Sequence, residues 1–177
     1  MKSTYTIDAA HSSVQFSVRH MMISNVKGAF SGLKGTAVYD PGATQDSSVQ
    51  AEIDASTINT FDANRDAHLK SAEFLDVAQF PTMTFKSTRF EGQGEGMKIH
   101  GDLTIHGVTK PVTLEVGEIT PEAKDPWGNT RLGAWARTAI KRSAYGLTWN
   151  AALESGGFLL GDDLKLEFDV QLIKQGA

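Results

Sequence analysis

The chain has 177 residues, no cysteine and a formal net charge of −4. This length favours one domain, residues 1–177, with a sizeable core, and the missing cysteines exclude disulfides and thiolate metal sites. The acidic balance argues against a nucleic-acid surface, and no apolar run approaches the roughly 18 residues of an integral membrane segment.

Most of the chain alternates apolar and polar residues with a period of two, which is the pattern of extended strands with one buried face. Tyr5 and Ile7 form a short extended entry. The eight predicted strands that follow are residues 12–22, 28–39, 48–55, 83–89, 97–106, 112–116, 131–141 and 164–172. Residues 28–39 are extended but ambiguous because their glycines favour a bend or bulge.

The clearest pair of strands surrounds Gly107, whose backbone freedom suits a tight turn. Before the turn, Leu103 and Ile105 share one face, while His100 and His106 share the other. Pro111 is expected near the start of the second strand because proline cannot donate a backbone hydrogen bond. This stretch therefore predicts a β-hairpin with one apolar and one solvated face.

The period changes over residues 62–76, where Leu69, Ala72 and Leu75 recur at helical spacing. Asp62 or Asn64 is suited to cap the start. We therefore predict one short helix over residues 64–74.

No helical crossovers separate the strands, so antiparallel pairing is expected. Long antiparallel strands close most simply into a barrel, which removes exposed edges. The predicted fold is all-β: an eight-stranded antiparallel lipocalin-like barrel with one short helix. A β-sandwich is the structural alternative.

Small residues on the inward faces, including Gly101, Ala134, Ala136 and Thr138, predict free space beside large apolar walls. Strands of ten residues, tilted by about 40°, give a barrel roughly 25 Å tall, which suits a long apolar chain. The alternative is a barrel filled by side chains that serves as an interaction module. The predicted ligand-binding residues are Phe16, Val18, His20, Ile53, Phe74, Phe85, Leu103, Ile105, Leu114, Ala134, Ala136, Leu166 and Phe168.

The polar residues include candidates for a head-group site and show no catalytic motif. Arg65 and His68 share a helix face and are candidates to contact an anionic head group; alternatively, they tie the helix to the barrel by hydrogen bonds. A metal site would need three or four converging ligands, and the five histidines form no such motif, so neither metal nor cofactor is predicted. No serine lies in GxSxG or SxxK. Catalysis on an amphiphile, with His20 or His68 as base, is the enzymatic alternative.

Four blocks of sequence, in order, resemble the YceI-like polyisoprenoid-binding family. They are Asp8-x-x-His11-Ser12 with Phe16, His20 and Gly28-x-Phe30; Arg65-Asp66-x-His68-Leu69 with Phe74, Asp76 and Phe80-Pro81; Gly101-x-Leu103-Thr104-x-x-Gly107-Val108-Thr109-Lys110-Pro111-Val112; and Arg142-x-x-Tyr145-Gly146. The chain departs from the family at Leu75 and Tyr145, where phenylalanine is frequent.

The resemblance implies a lipocalin-like barrel that binds a long isoprenoid or similar lipid for transport, storage or sequestration, without established catalysis. It leaves a homodimer open. The N-terminal residues MKSTYTIDAAHSS contain no apolar signal segment. A cytoplasmic location is therefore expected, or a periplasmic or secreted one if a leader has been removed.

Overall fold

The computed structural model describes residues 1–176, in which eleven strands form one antiparallel sheet. The strands are β1 (Ser3–Ile7), β2 (Ser13–His20), β3 (Ser24–Phe30), β4 (Leu33–Tyr39), β5 (Ser48–Asp54), β6 (Thr82–Glu91), β7 (Lys98–Ile105), β8 (Val108–Ile119), β9 (Ala123–Lys124), β10 (Thr130–Lys141) and β11 (Leu160–Lys174). Within the same residues there is one α-helix, α1 (Ala63–Lys70).

The sheet closes because β11 pairs with β10 along one edge and with β2 and then β1 along the other. Two of the eight barrel strands are each made of two segments. The first consists of β1 and β2, and the neighbouring one consists of β3 and β4. With β5, β6, β7, β8, β10 and β11 they make eight, in antiparallel order. The predicted eight-stranded lipocalin-like barrel with one short helix is confirmed.

The predicted strand over residues 28–39 is divided. The backbone N–H groups of Ser31 and Gly32 both donate to the Thr57 hydroxyl, at 3.2 Å each, and this contact separates β3 from β4. Beyond the break, β3 pairs with β2 and keeps only an isolated bridge from Ala29 to Asn59 on its other side. The sheet is thereby opened next to the helical segment.

The hairpin around Gly107 is confirmed. His106 (φ 54°) and Gly107 (φ 71°) are the two residues between the paired Ile105 and Val108. Two successive positive φ values are typical of the type I′ turn that matches strand twist. Pro111 was expected near the strand start, but it lies inside β8. Proline is tolerated there because β8 pairs with β10 only from Glu115 onward.

The helix starts as predicted and ends earlier. The Asp62 carboxylate accepts from the backbone N–H of Arg65 at 3.0 Å, so Asp62 is the N-cap. The predicted end at Phe74 is wrong, because the helix stops at Lys70. The Ser71 hydroxyl donates to the His68 carbonyl at 2.6 Å, which satisfies a terminal acceptor of the helix.

Candidate functional site

The barrel interior contains two apolar cavities, of about 220 Å³ and 120 Å³. The larger, here the first cavity, lies at the helix end between α1, β2, β3, β11 and the loop after β10. The smaller, the second cavity, lies between β4, β5, β8 and β10. Phe168 of β11 lines both, so it marks their junction. The barrel is therefore not filled by its own side chains.

All of the residues predicted to contact ligand lie on a cavity wall. The first cavity is lined by Phe16, Val18, His20, Ile53, Arg65, His68, Phe74, Leu103, Ile105, Leu166 and Phe168. The second is lined by Phe85, Leu114, Ala134, Ala136 and Phe168. Alternation along the strands predicted the inward position of the strand residues, whereas Arg65, His68 and Phe74 were predicted from the helical segment. Their contact with a ligand stays a prediction.

The space arises from alanines rather than from Gly101, whose predicted contribution is wrong. The Phe85 ring occupies the position next to Gly101, where an added Cβ would lie 2.4 Å from the ring. The Thr138 hydroxyl, also expected to border free space, donates to the Thr113 carbonyl at 2.9 Å. Ala134 and Ala136 remain as the small residues of β10 that line the second cavity.

The Arg65 guanidinium is anchored on one side only. Its Nε donates to the Thr60 hydroxyl at 2.9 Å and its Nη2 to the Thr60 carbonyl at 2.7 Å. The Asp66 carboxylate accepts from the same hydroxyl at 2.5 Å. A guanidinium has five N–H groups, so three remain for an anionic oxygen at the cavity. The tethering and head-group interpretations of Arg65 are thus compatible.

His68 belongs to an aromatic cluster at the same cavity. Its ring meets Phe74 and Trp149 edge to face, with centroids 5.0 and 4.8 Å apart, and its Nε2 contacts a Glu73 carboxylate oxygen. The His68 side chain is 37% exposed although it lines the cavity. The first cavity therefore reaches the surface beside α1.

Arg142 is a wall residue that the strand pattern did not identify. It is 7% exposed, and its guanidinium donates to the carbonyls of Gly161, Leu147 and Trp149 at 2.7, 2.6 and 2.9 Å. Burial lowers its pKa from the ordinary value, and Asp162 opposes that effect. Because these bonds occupy most of its donors, Arg142 holds the loop over the first cavity. Its place in the Arg142-x-x-Tyr145-Gly146 block was the available signal.

The irregular segment 143–161 also supplies wall residues that periodicity missed. Leu147, Trp149, Leu159 and Leu160 line the first cavity. Residues 146–159 have no strand period because they cross the end of the barrel as a loop, with an isolated bridge between Ala152 and Phe158. Leu160 is the first residue of β11. The signal lay in the composition of the segment, since these large apolar residues are unusual in a solvated loop.

The histidines do not converge. His100 contacts Glu91 and Thr113, His11 contacts Asp8, and His106 packs against Phe80. Across residues 1–176, no group of three or more histidine, aspartate or glutamate side chains is arranged to hold a metal ion. The same residues include no helix long and apolar enough to span a membrane.

A model of the YceI-like domain family matches residues 5–172. Protein YceI of Salmonella newport is 40% identical over 146 residues, which cover 81% of this chain and 76% of that protein. A UPF0312 protein of Vibrio cholerae is 38% identical over the same length, covering 81% of this chain and 77% of that protein.

Solved structures have the same fold. The YceI protein of Campylobacter jejuni aligns with a TM-score of 0.75 at 30% identity, covering 89% of this chain and 90% of that one. A polyisoprenoid-binding domain from Saccharophagus degradans aligns with a TM-score of 0.66 at 16% identity, covering 97% and 98%. The family match over nearly the whole length and these alignments lead to one assignment: the chain belongs to the YceI-like domain family.

Proposed function

We propose that the protein binds a long-chain isoprenoid or similar amphiphilic lipid inside the barrel, for transport, storage or sequestration. The observation that carries the proposal is the distribution of polarity along the interior. The basic side chains of Arg65, His68 and His20 line the first cavity, whereas the second is lined by apolar side chains apart from Tyr39, Ser48 and Trp135, none of which is charged. A ligand with one polar end and a long apolar chain matches that distribution.

The apolar chain would run from the first cavity past Phe168 into the second. Ala134 and Ala136 border the second cavity, and the ring of Phe85 forms part of its wall. Apolar cavities of this kind lack hydrogen-bonding partners for water, so an apolar ligand is the favoured occupant. The Saccharophagus degradans domain of the same fold is described as polyisoprenoid-binding, which supports the isoprenoid class.

The head group would lie where the first cavity reaches the surface. Arg65 retains three N–H groups after its bonds to Thr60, and guanidinium groups bind phosphate or carboxylate oxygens in paired fashion. His68, three residues further along α1, contacts Glu73 in the turn that follows the helix. We therefore propose an anionic or strongly polar head group.

Catalysis on an amphiphile is the competing function, because His20 and His68 both line the first cavity. A histidine base needs a substrate proton within hydrogen-bond reach, and the contact of His68 Nε2 with Glu73 engages one of its two ring nitrogens. We favour binding without turnover, since the large apolar wall accounts for most of the residues that line the site.

The test is native mass spectrometry of freshly purified protein, followed by organic extraction and identification of what it carries. A stoichiometric long-chain lipid, released unchanged after incubation, is the expected result. A ligand-free protein that also takes up no prenyl lipid after delipidation would contradict the proposal. A chemically altered lipid would favour the enzymatic alternative.

A further inference from the structure

Four large apolar side chains are exposed together beside the first cavity. Met21, Met22 and Ile23 form the turn between β2 and β3, with exposures of 44%, 60% and 73%; Phe158, in the loop before β11, is 61% exposed. We refer to these four residues as the apolar tip. Single exposed apolar residues are ordinary, but a contiguous exposed group indicates an interaction surface.

The two segments of the apolar tip are joined to each other. The backbone N–H of Met21 donates to the Leu159 carbonyl at 2.7 Å. The sulfur of Met22 lies over Gly157, where an added Cβ would be 2.3 Å from it. The tip is therefore one surface built from two loops.

The turn holds its methionines outward at a conformational cost. Met21 (φ 50°) and Met22 (φ 62°) both adopt left-handed backbone, which glycine and asparagine adopt with less strain. Polar turn residues would serve the hairpin geometry better and would also improve solubility. Methionine at both positions is explained if the side chains themselves have a partner.

Charge around the turn identifies the kind of partner. The chain has net charge −4, yet no aspartate or glutamate occurs between Asp8 and Asp40. Arg19 and Lys27 flank the turn on β2 and β3. At the start of β11, Asp163 is paired with Lys141, and Asp162 is a charged carboxylate that accepts from Ser143 and interacts with the buried Arg142. Glu154 is the acidic residue of the loop before β11. The hairpin is thus cationic on an acidic protein.

The tip is continuous with the cavity. His20 directly precedes the turn, Leu159 directly follows Phe158, and both line the first cavity. Ile23 and Phe158 do not line it, so their exposure is not explained by contact with a ligand inside the barrel. A membrane surface in contact with the tip would lie next to the cavity opening.

We propose that the apolar tip docks on an anionic lipid bilayer, inserting its four side chains between the lipids while Arg19 and Lys27 contact anionic head groups. This inference rests on the proposed function, because the bilayer is then the source or destination of the ligand. Apolar insertion and attraction to anionic lipid together account for interfacial binding of this kind.

The experiment compares binding of the full chain to vesicles of phosphatidylcholine with and without phosphatidylglycerol, by co-sedimentation. The double variant Ile23→Ser/Phe158→Ser should lower the partition coefficient roughly tenfold or more, because two apolar side chains that insert into the bilayer are lost. Lys27→Gln should lower it roughly fivefold on vesicles that contain phosphatidylglycerol, and hardly at all on phosphatidylcholine alone. The matched control is Trp127→Ser, which removes an 81% exposed ring from the turn between β9 and β10, at the opposite end of β10, and should change nothing.

A second measurement separates this inference from the proposed function: uptake of a fluorescently labelled geranylgeraniol from vesicle-free solution. The double variant should take up this probe as the parent does. A double variant that sediments with vesicles like the parent would overturn the docking, as would a parent that binds neither vesicle composition. A parent dimer that the double variant converts to a monomer, with no vesicle binding, would also overturn it. Tip-dependent vesicle binding without probe uptake would retain the docking and overturn the lipid-binding function.

Discussion

Ala136 and Phe168 are paired across β10 and β11, and both side chains line the second cavity. Phe168 also borders the first cavity, so this pair lies at the passage between the two compartments. The methyl group of Ala136 is the smaller half of the pair. A larger side chain there would enter the path that we propose for the lipid chain.

Ala136→Phe should therefore block uptake of a long prenyl lipid with little change in melting temperature, because the ring enters free apolar space. In a tightly packed core the same change would cost about 1–3 kcal/mol of stability. Lipid uptake by native mass spectrometry and thermal unfolding should be measured on the same preparation. Gln15→Ala, at an exposed position of β2, is the control and should alter neither. Uptake equal to that of the parent would show that the lipid does not pass Ala136.

Arg65→Gln should weaken binding of a prenyl phosphate about tenfold and leave binding of the corresponding neutral prenol nearly unchanged, since a charged hydrogen bond contributes roughly 1.5–3 kcal/mol. Titrations with the two ligands measure the difference. The matched control is Arg137→Gln, which removes an exposed arginine paired with Glu115 on the outside of the barrel. Equal losses for both ligands would indicate that Arg65 acts only by tying the helix to Thr60.

Tyr145 carries a buried hydroxyl with no hydrogen-bond partner among residues 1–176. The side chain is 1% exposed. Tyr145→Phe should raise the free energy of unfolding by about 1 kcal/mol, because an unsatisfied buried polar group is removed.

Tyr5→Phe provides the opposite case, since the Tyr5 hydroxyl donates to Glu122 at 2.5 Å. That change should lower stability by about 1–2 kcal/mol. Urea unfolding at neutral pH measures both, and destabilisation by Tyr145→Phe would refute the first expectation.

Stability should fall as pH rises from 10 to 12. Burial, followed by the hydrogen bond to Glu122, raises the pKa of Tyr5 from 10.0 to about 12. Over that range the unfolded chain releases the phenolic proton before the folded protein does, so the folded state loses stability as pH increases. Below pH 10 the contribution is fully present. Urea unfolding across this range should show a shallower decline in Tyr5→Phe; a residual slope remains because burial also raises the pKa of Tyr39 and Tyr145. Identical slopes would contradict the assignment to Tyr5.

Removal of metal should leave lipid binding unchanged. The histidines contact carboxylates, a hydroxyl or aromatic rings in separate places, and His20 and His68 reach the first cavity from different elements. Uptake should be measured before and after dialysis against a chelator, with elemental analysis of both samples. Stoichiometric zinc or iron that is lost together with lipid binding would contradict this prediction.

Much of the fold was readable from the sequence because burial on one face leaves a period of two. That period located the barrel strands and assigned Phe16, Leu103 and Leu166 to the interior, where the structure places them. The turn at Gly107 was also readable, and Asp62 was one of two candidate caps, because each feature depends on a few adjacent residues. Local chemistry of this kind needs no knowledge of distant parts of the chain.

Only the tertiary structure decided how the interior is divided. A period of two reports which face of a strand is buried, but not which side chain from a neighbouring strand occupies the space. Gly101 therefore predicted a gap that Phe85 fills, while Ala136 borders a real one. The position of Arg142 on the cavity wall was not predicted for the same reason, since the carbonyls of Leu147 and Trp149 that it binds belong to a loop without periodicity. Cavity shape depends on contacts between residues far apart in sequence, and those contacts leave no repeating pattern along the chain.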